Sequence, residues 1–165
     1  MSEIQAVTSS FALIVPPEWL DYNNHMNVAY YSLAFDQAGE AFVETLGMGA
    51  AYTHQTQNSW MVLEAHLTYQ QEARLHDSLH IETRVLDFSD KLAHLYQVMY
   101  RGTELLSTQE QLTLHVNLET RRAAPFPAEI LAQMVAVHEK HHALPPPIGA
   151  GRQIGIDGQK SLAKK

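Results

Sequence analysis

The sequence predicts an α+β fold in which one antiparallel sheet of about five strands curls round one long buried helix, with a further helix towards the C-terminus. Residues 28–46 repeat apolar side chains at helical spacing. Four stretches of 10 to 13 residues, rich in aliphatic and aromatic side chains, follow with only turn-like breaks between them. The chain of 165 residues, 45% hydrophobic and 18% charged, suffices for one domain and not for two.

The elements follow in chain order. Phe11 to Val15 is a short apolar run halted by Pro16 and Pro17, which suits a first strand and forbids a helix through that point. A polar loop runs from Glu18 to about Asn27. From Val28 to about Leu46, the residues Tyr31, Phe35, Ala38, Phe42 and Leu46 form one stripe and Asp36, Glu40 and Glu44 another. Asn27 suits the N-cap, and Gly47 and Gly49 supply the stop. Leu33, Ala34, Ala41 and Val43 leave only a narrow polar stripe, so this helix is expected to be buried on most sides. A polar loop then leads to strands at Trp60–Tyr69, Ser78–Asp87, Leu92–Arg101 and Leu105–Asn117. Short connections make them antiparallel. Pro127 to about Ala143 reads as an amphipathic helix through Ile130, Leu131, Met134 and Val137, ended by Pro145-Pro146-Pro147. Residues 1–144 form the domain, and the Pro- and Gly-rich cationic segment 145–165 is expected to be mobile. Such a sheet leaves an open edge, so pairing with a second copy is expected.

Composition narrows the function. There are no cysteines, which excludes thiol nucleophiles, disulfides and Cys-ligated metals. No apolar run is long enough for a membrane span, and Met1 to Ser10 lacks a signal pattern, so a cytoplasmic location with no membrane partner is expected. The net charge of −7 is unevenly spread: residues 145–165 carry Arg152, Lys160, Lys164 and Lys165 against Asp157 alone, so the body is more acidic than the whole. That disfavours nucleic acid.

The chemistry concentrates in Asp21-Tyr22-Asn23-Asn24-His25-Met26-Asn27-Val28-Ala29-Tyr30-Tyr31, which sets a carboxylate, amides, an imidazole and phenols at the start of the central helix. A helix start offers unpaired N–H groups that stabilise a carbonyl oxygen gaining negative charge. Asp21 stands where a carboxylate could attack that carbonyl or activate water beside it. The same residues also serve as turn formers and caps, with His25 a hydrogen-bonded linker.

The pattern Asp21, Asn23, His25, Asn27 and Tyr31, followed by Phe35-Asp36 on a helix, resembles the hotdog-fold acyl-CoA thioesterases of the 4-hydroxybenzoyl-CoA thioesterase type. Members carry an Asp, a His-Val-Asn-like step and a Tyr ten residues beyond the Asp. Here Met26 replaces the usual Val, and Val28 stands where many members have a second Asn. The resemblance covers roughly residues 10–140. Leu63-Glu64-Ala65-His66, Glu72-Ala73-Arg74, Val85-Leu86, Asp90-Lys91-Leu92-Ala93-His94, Leu114-His115-Val116 and Arg121 to Pro127 are similar to thioesterases of carnitine and betaine metabolism, including modules fused to carnitine dehydrogenase. The resemblance implies a homodimer, or a dimer of such dimers, that hydrolyses a short acyl-CoA with a quaternary ammonium, such as betainyl-CoA. The catalytic group would be Asp21, Asn23, His25 and Asn27, with no cofactor or metal.

For substrate binding, aromatic faces suit a trimethylammonium group, and Tyr30, Tyr31, Trp60, Tyr52 and Tyr69 are candidates. Glu64 is expected to share a strand face with Trp60, Val62, His66 and Thr68, where a carboxylate calls for a cationic partner. Arg121-Arg122, the adjacent basic pair of the body, is assigned to the CoA phosphates. His138-Glu139-Lys140-His141-His142 matches a zinc-protease spacing but lacks a suitable third ligand downstream. Two rival readings are a non-catalytic acyl-CoA-binding module, which has no need of Asp21, and a hydratase, whose Asp-x-Asn-Pro-x-His step is absent. A catalytic carboxylate from mid-helix would be Glu40 or Glu44.

Overall fold

The computed structural model describes residues 8–155. The elements are β1 (Ser9–Ile14), a 3-10 turn at Pro17–Trp19, α1 (Val28–Thr45), α2 (Ala50–Thr56), β2 (Asn58–Tyr69), β3 (Ser78–Phe88), β4 (Leu92–Arg101), β5 (Glu104–Asn117), the two-residue β6 (Arg122–Ala123) and α3 (Ala128–His142). The main path of the sheet runs β1-β3-β4-β5-β2 with every neighbour antiparallel, and β6 adds to β5. No helix among the described residues is long and apolar enough to cross a membrane.

The sheet curls round α1, whose apolar stripe meets its concave face in two clusters. Tyr31, Ala34, Phe35 and Ala38 pack with Val15, Met26, Leu79, Ile81 and Met99 near the N-terminus of the helix. Phe42, Val43 and Leu46 pack with Val85, Leu95, Phe126, Ile130 and Met134 near its end. Between the clusters lie buried glutamines, satisfied internally. Gln97 Nε2 donates to the Phe35 carbonyl at 2.9 Å, and Gln109 Nε2 donates to Gln97 Oε1 at 3.1 Å. The other face of α1 is open in a single chain, with Val28, Leu33, Asp36, Glu40 and Glu44 exposed, so the helix is half covered and not enclosed on most sides.

Three local features depart from the sequence reading. The connection before β2 contains the seven-residue helix α2, started at Gly49 and ended at Gln57 in a left-handed conformation. β-bulges interrupt the alternation at Leu63 in β2 and Leu86 in β3. Lastly, the segment from residue 145, expected to be mobile, is tied along the outer face of the sheet: Arg84 donates to the Pro145 carbonyl, Tyr96 OH to the Ile148 carbonyl, and Gly151 N–H to Glu110 Oε2. Residues 156–165 lie outside the described residues.

The bulge at Leu86 also explains the histidine-rich end of α3. A bulged residue leaves backbone groups out of the ladder that need partners. His141 Nδ1 accepts from Val85 N–H at 2.9 Å, and His138 Nε2 bonds the Leu86 carbonyl at 3.1 Å. Among the described residues no cluster of His, Asp or Glu is arranged to hold a metal ion.

Candidate active site

The loop Asp21–Asn27 is fixed from both sides. Asp21 Oδ1 accepts the Asn23 N–H at 2.8 Å, the Asp21 carbonyl accepts Asn24 N–H at 3.1 Å, and Asp21 N–H donates to the His25 carbonyl at 3.1 Å. Asn24 takes the left-handed conformation, φ 63°, which Asn tolerates better than most residues. Met26 N–H then donates to the Ala73 carbonyl at 2.7 Å, and Asn27 N–H donates to the Trp19 carbonyl at 2.9 Å. The loop is therefore a rigid platform, with Asp21 only 16% exposed. Its Oδ1 is used in the turn and lies 3.7 Å from His25 Nδ1; Oδ2 has no partner among the described residues.

A count of donors at the tip of α1 identifies the available one. The N-cap Asn27 accepts Ala29 N–H on its side chain at 3.0 Å, and its carbonyl accepts Tyr30 N–H at 2.9 Å. Asn27's own N–H is taken by Trp19. Among the described residues this leaves the Val28 N–H unpaired, so the unpaired N–H groups expected at the helix start reduce to one.

Asp21, His25, Asn27, Val28 and Tyr31 line one cavity of about 510 Å³, whose other wall is Tyr69 at the end of β2 and Gln70, Gln71 and Glu72 from the β2–β3 connection. Ala73, fully buried, joins the two walls: its N–H donates to Tyr31 OH at 2.8 Å while its carbonyl holds Met26. Burial pushes the Tyr31 phenol up from its ordinary range. The Arg74 guanidinium bonded to Glu72 holds that carboxyl below the usual range.

The remaining candidates lie elsewhere. Asn23 contributes its backbone N–H to the Asp21 turn, and its side chain is exposed. Tyr30 stacks on Trp19 at 5.2 Å, outside the cavity lining. Trp60 donates through Nε1 to Glu40 at 3.3 Å in a separate cavity of about 220 Å³ beside Asp36 and Gly39. Tyr52 bonds His115 at 2.8 Å. Glu64 does not share a face with Trp60 and Val62. The bulge at Leu63 shifts the register, so Val62 pairs with inward-facing Thr113 while Glu64 pairs with Leu112 on the outer face. Arg121 and Arg122 lie in the turn and β6 near Asn117, which pairs with Asn58 at the opposite end of β2 from Tyr69. Twelve residues of strand separate those ends, about 35 Å.

Glu64 instead borders a second cavity, also about 510 Å³, between the outer sheet face and residues 151–153. There His94 Nε2 lies 2.7 Å from Glu110 Oε1 and Gly151 N–H occupies Oε2. The sequence reading missed Gln70, Gln71 and Glu72 as site residues. They read as a turn, and only the pairing through Ala73 brings them to the helix tip.

A sheet curled round one long helix, with a polar loop at the start of that helix, is the architecture of the hotdog thioester hydrolases. The chain belongs to the thioesterase-like superfamily, whose sequence profile matches residues 15–134. It is 35% identical to the betainyl-CoA thioesterase of Pseudomonas aeruginosa, over 91% of this chain and 96% of that one. It is 39% identical to the L-carnitine dehydrogenase/betainyl-CoA thioesterase of Ruegeria pomeroyi, over 85% of this chain and 28% of that longer protein. Among solved structures, a Staphylococcus aureus protein in complex with CoA superposes with a TM-score of 0.85 at 26% identity, covering 90% of this chain and 95% of that one.

Proposed function

We propose that the protein hydrolyses betainyl-CoA, or a closely similar short acyl-CoA with a quaternary ammonium, in the cavity between Asp21 and the tip of α1. One observation carries this reading: the same cavity is lined by Asp21 and by Val28, and among the described residues neither Asp21 Oδ2 nor the helix-start Val28 N–H has a partner. The thioester oxygen accepts from Val28 N–H, which takes up the charge that develops when the carbonyl carbon becomes tetrahedral. Asp21 Oδ2 either attacks that carbon directly, giving an anhydride that water opens, or removes a proton from the water that attacks. In both routes the C–S bond breaks, CoA leaves as the thiolate and the acyl group leaves as the acid. His25, beside Oδ1, helps to fix the carboxylate. The likeness to the Pseudomonas protein supports the acyl group, and the CoA-bound structural neighbour supports the carrier.

The working unit in this reading is a homodimer in the cytoplasm. β2 is an edge strand whose residues 61–65 are all exposed, including Met61, Val62 and Leu63, a template for pairing. Antiparallel pairing of two β2 edges would turn the Arg121–Arg122 end of the second copy towards the Tyr69 end of this chain, where the CoA phosphates need cations. Purified protein incubated with a panel of acyl-CoAs, with release of free thiol as the readout, tests the activity. Betainyl-CoA is expected to be among the fastest turned over, and no thiol release from any short acyl-CoA would leave only a binding module. Light scattering tests the dimer.

A further inference from the structure

We propose that Glu72, together with the ring of Tyr69, is the element of the Asp21 cavity that selects a cationic acyl group. The inference rests on the reading of that cavity as the thioesterase site and names the residues that give it specificity. In such an acyl group the cationic nitrogen is two bonds from the thioester carbon. Within one chain its recognition must therefore come from the walls that surround Asp21 and Val28, and Glu64 and Trp60 border other cavities.

The opposite wall has the needed chemistry. Glu72 is the second carboxylate of the cavity, and it is held in place: Arg74 donates to its Oε1 through both Nε, at 2.9 Å, and Nη2, while its backbone carbonyl accepts from Arg101 at 3.3 Å. Both Arg74 contacts fall on Oε1, so Oε2 has no partner among the described residues. The next residue, Ala73, is the one clamped to Tyr31 and Met26, so Glu72 is fixed relative to the reacting groups. Glu72 is 45% exposed and already paired with Arg74 through Oε1, so a neutral acyl group gains nothing from it, whereas a cationic one gains the attraction of Oε2. Tyr69 adds an aromatic face. It meets Tyr31 edge-on, with ring centres 5.2 Å apart and planes at 85°, and is 49% exposed, which leaves ring surface for a trimethylammonium group. The hydrogen bond and charge of Arg74 hold the Glu72 carboxyl below its ordinary pKa, so the selection should persist at neutral pH.

The test compares betainyl-CoA with 3,3-dimethylbutanoyl-CoA, in which carbon replaces the quaternary nitrogen and shape is preserved without charge. The wild-type protein should favour the cationic ester. Glu72→Gln should lower the ratio of the two kcat/KM values about tenfold, chiefly through KM, and Tyr69→Leu about threefold. Glu64→Gln, on the outer face, should leave the ratio where it was. A wild-type ratio near one, or a ratio unmoved by both Glu72→Gln and Tyr69→Leu, would overturn this assignment while leaving thioester hydrolysis intact. Hydrolysis of neither ester by the wild type would instead overturn the reading of the site itself.

Discussion

Two cavities of equal volume, about 510 Å³ each, both contain a carboxylate beside a histidine, yet a helix start borders only one of them. On the outer face, Glu110 is saturated. Oε1 is 2.7 Å from His94, Oε2 receives the Gly151 N–H at 2.7 Å, and the pair ties down the segment after α3. At the helix tip, Asp21 sits 3.7 Å from His25 and spends one oxygen on its own turn; the other has no partner among the described residues, and both Asp21 and Val28 line the cavity. Neither size nor composition separates the two. The separation lies in the helix start: Val28, whose N–H has no partner among the described residues, lines only the cavity at the tip of α1.

The largest effect should come from Asp21→Asn. The amide oxygen can still accept Asn23 N–H and preserve the turn, while the group that attacks or takes a proton is lost. Turnover should fall about 10²- to 10⁴-fold with the melting temperature little changed, measured by thiol release and thermal unfolding. Retained turnover would reduce the helix-tip carboxylate to a turn former like any other.

Val28→Pro removes the one helix-start donor that is unpaired among the described residues, while leaving the helix start undisturbed. Val28 is the first helical residue, where proline is favoured, and Asn27 at φ −64°, ψ 144° already has the extended conformation that a following proline requires. The expected loss is about 10²- to 10³-fold in kcat, with helix content by circular dichroism unchanged. An unchanged kcat would show that the oxyanion is stabilised elsewhere.

How much of this could be read from the residues follows from the reach of each signal. α1 and the four long strands were legible because period and turn residues are local. α2 was not: seven residues with no exclusively apolar face carry no period. The bulges at Leu63 and Leu86 were hidden because each falls in an apolar pair, Val62-Leu63 and Val85-Leu86, that does not reveal which residue is the extra one, and the first of them sends Glu64 to the outer face. The tie between residues 145–151 and the sheet depends on single bonds to Arg84, Tyr96 and Glu110, residues distant in sequence, whereas its prolines and glycines read only as loop. In the same way the Asp21–Tyr31 half of the site was contiguous and visible. The Tyr69–Glu72 half was not, since Ala73 joins it to the helix only through tertiary hydrogen bonds.

That junction gives the third prediction. Tyr31→Phe leaves the Ala73 N–H buried without an acceptor, a cost of about 1–3 kcal/mol of stability. The phenol also adds a pH dependence. Burial raises its folded pKa, so the folded state holds the proton more tightly than the unfolded chain; this stability is present below about pH 10 and is lost as pH rises through the folded value. Chemical denaturation of the wild type and the variant should reveal both, with part of the alkaline loss absent from the variant.

The smallest effect should follow Glu110→Gln, which probes the comparison from its other side. Glutamine retains an oxygen for Gly151 N–H and surrenders the charge facing His94, so about 1 kcal/mol of stability should be lost. Turnover should stay within about twofold, because neither oxygen of Glu110 was available to a ligand. Thermal unfolding and thiol release on the same sample decide the matter. A collapse of kcat with little change in melting temperature would make the outer cavity part of the working site, and the helix start would no longer be the feature that distinguishes the two.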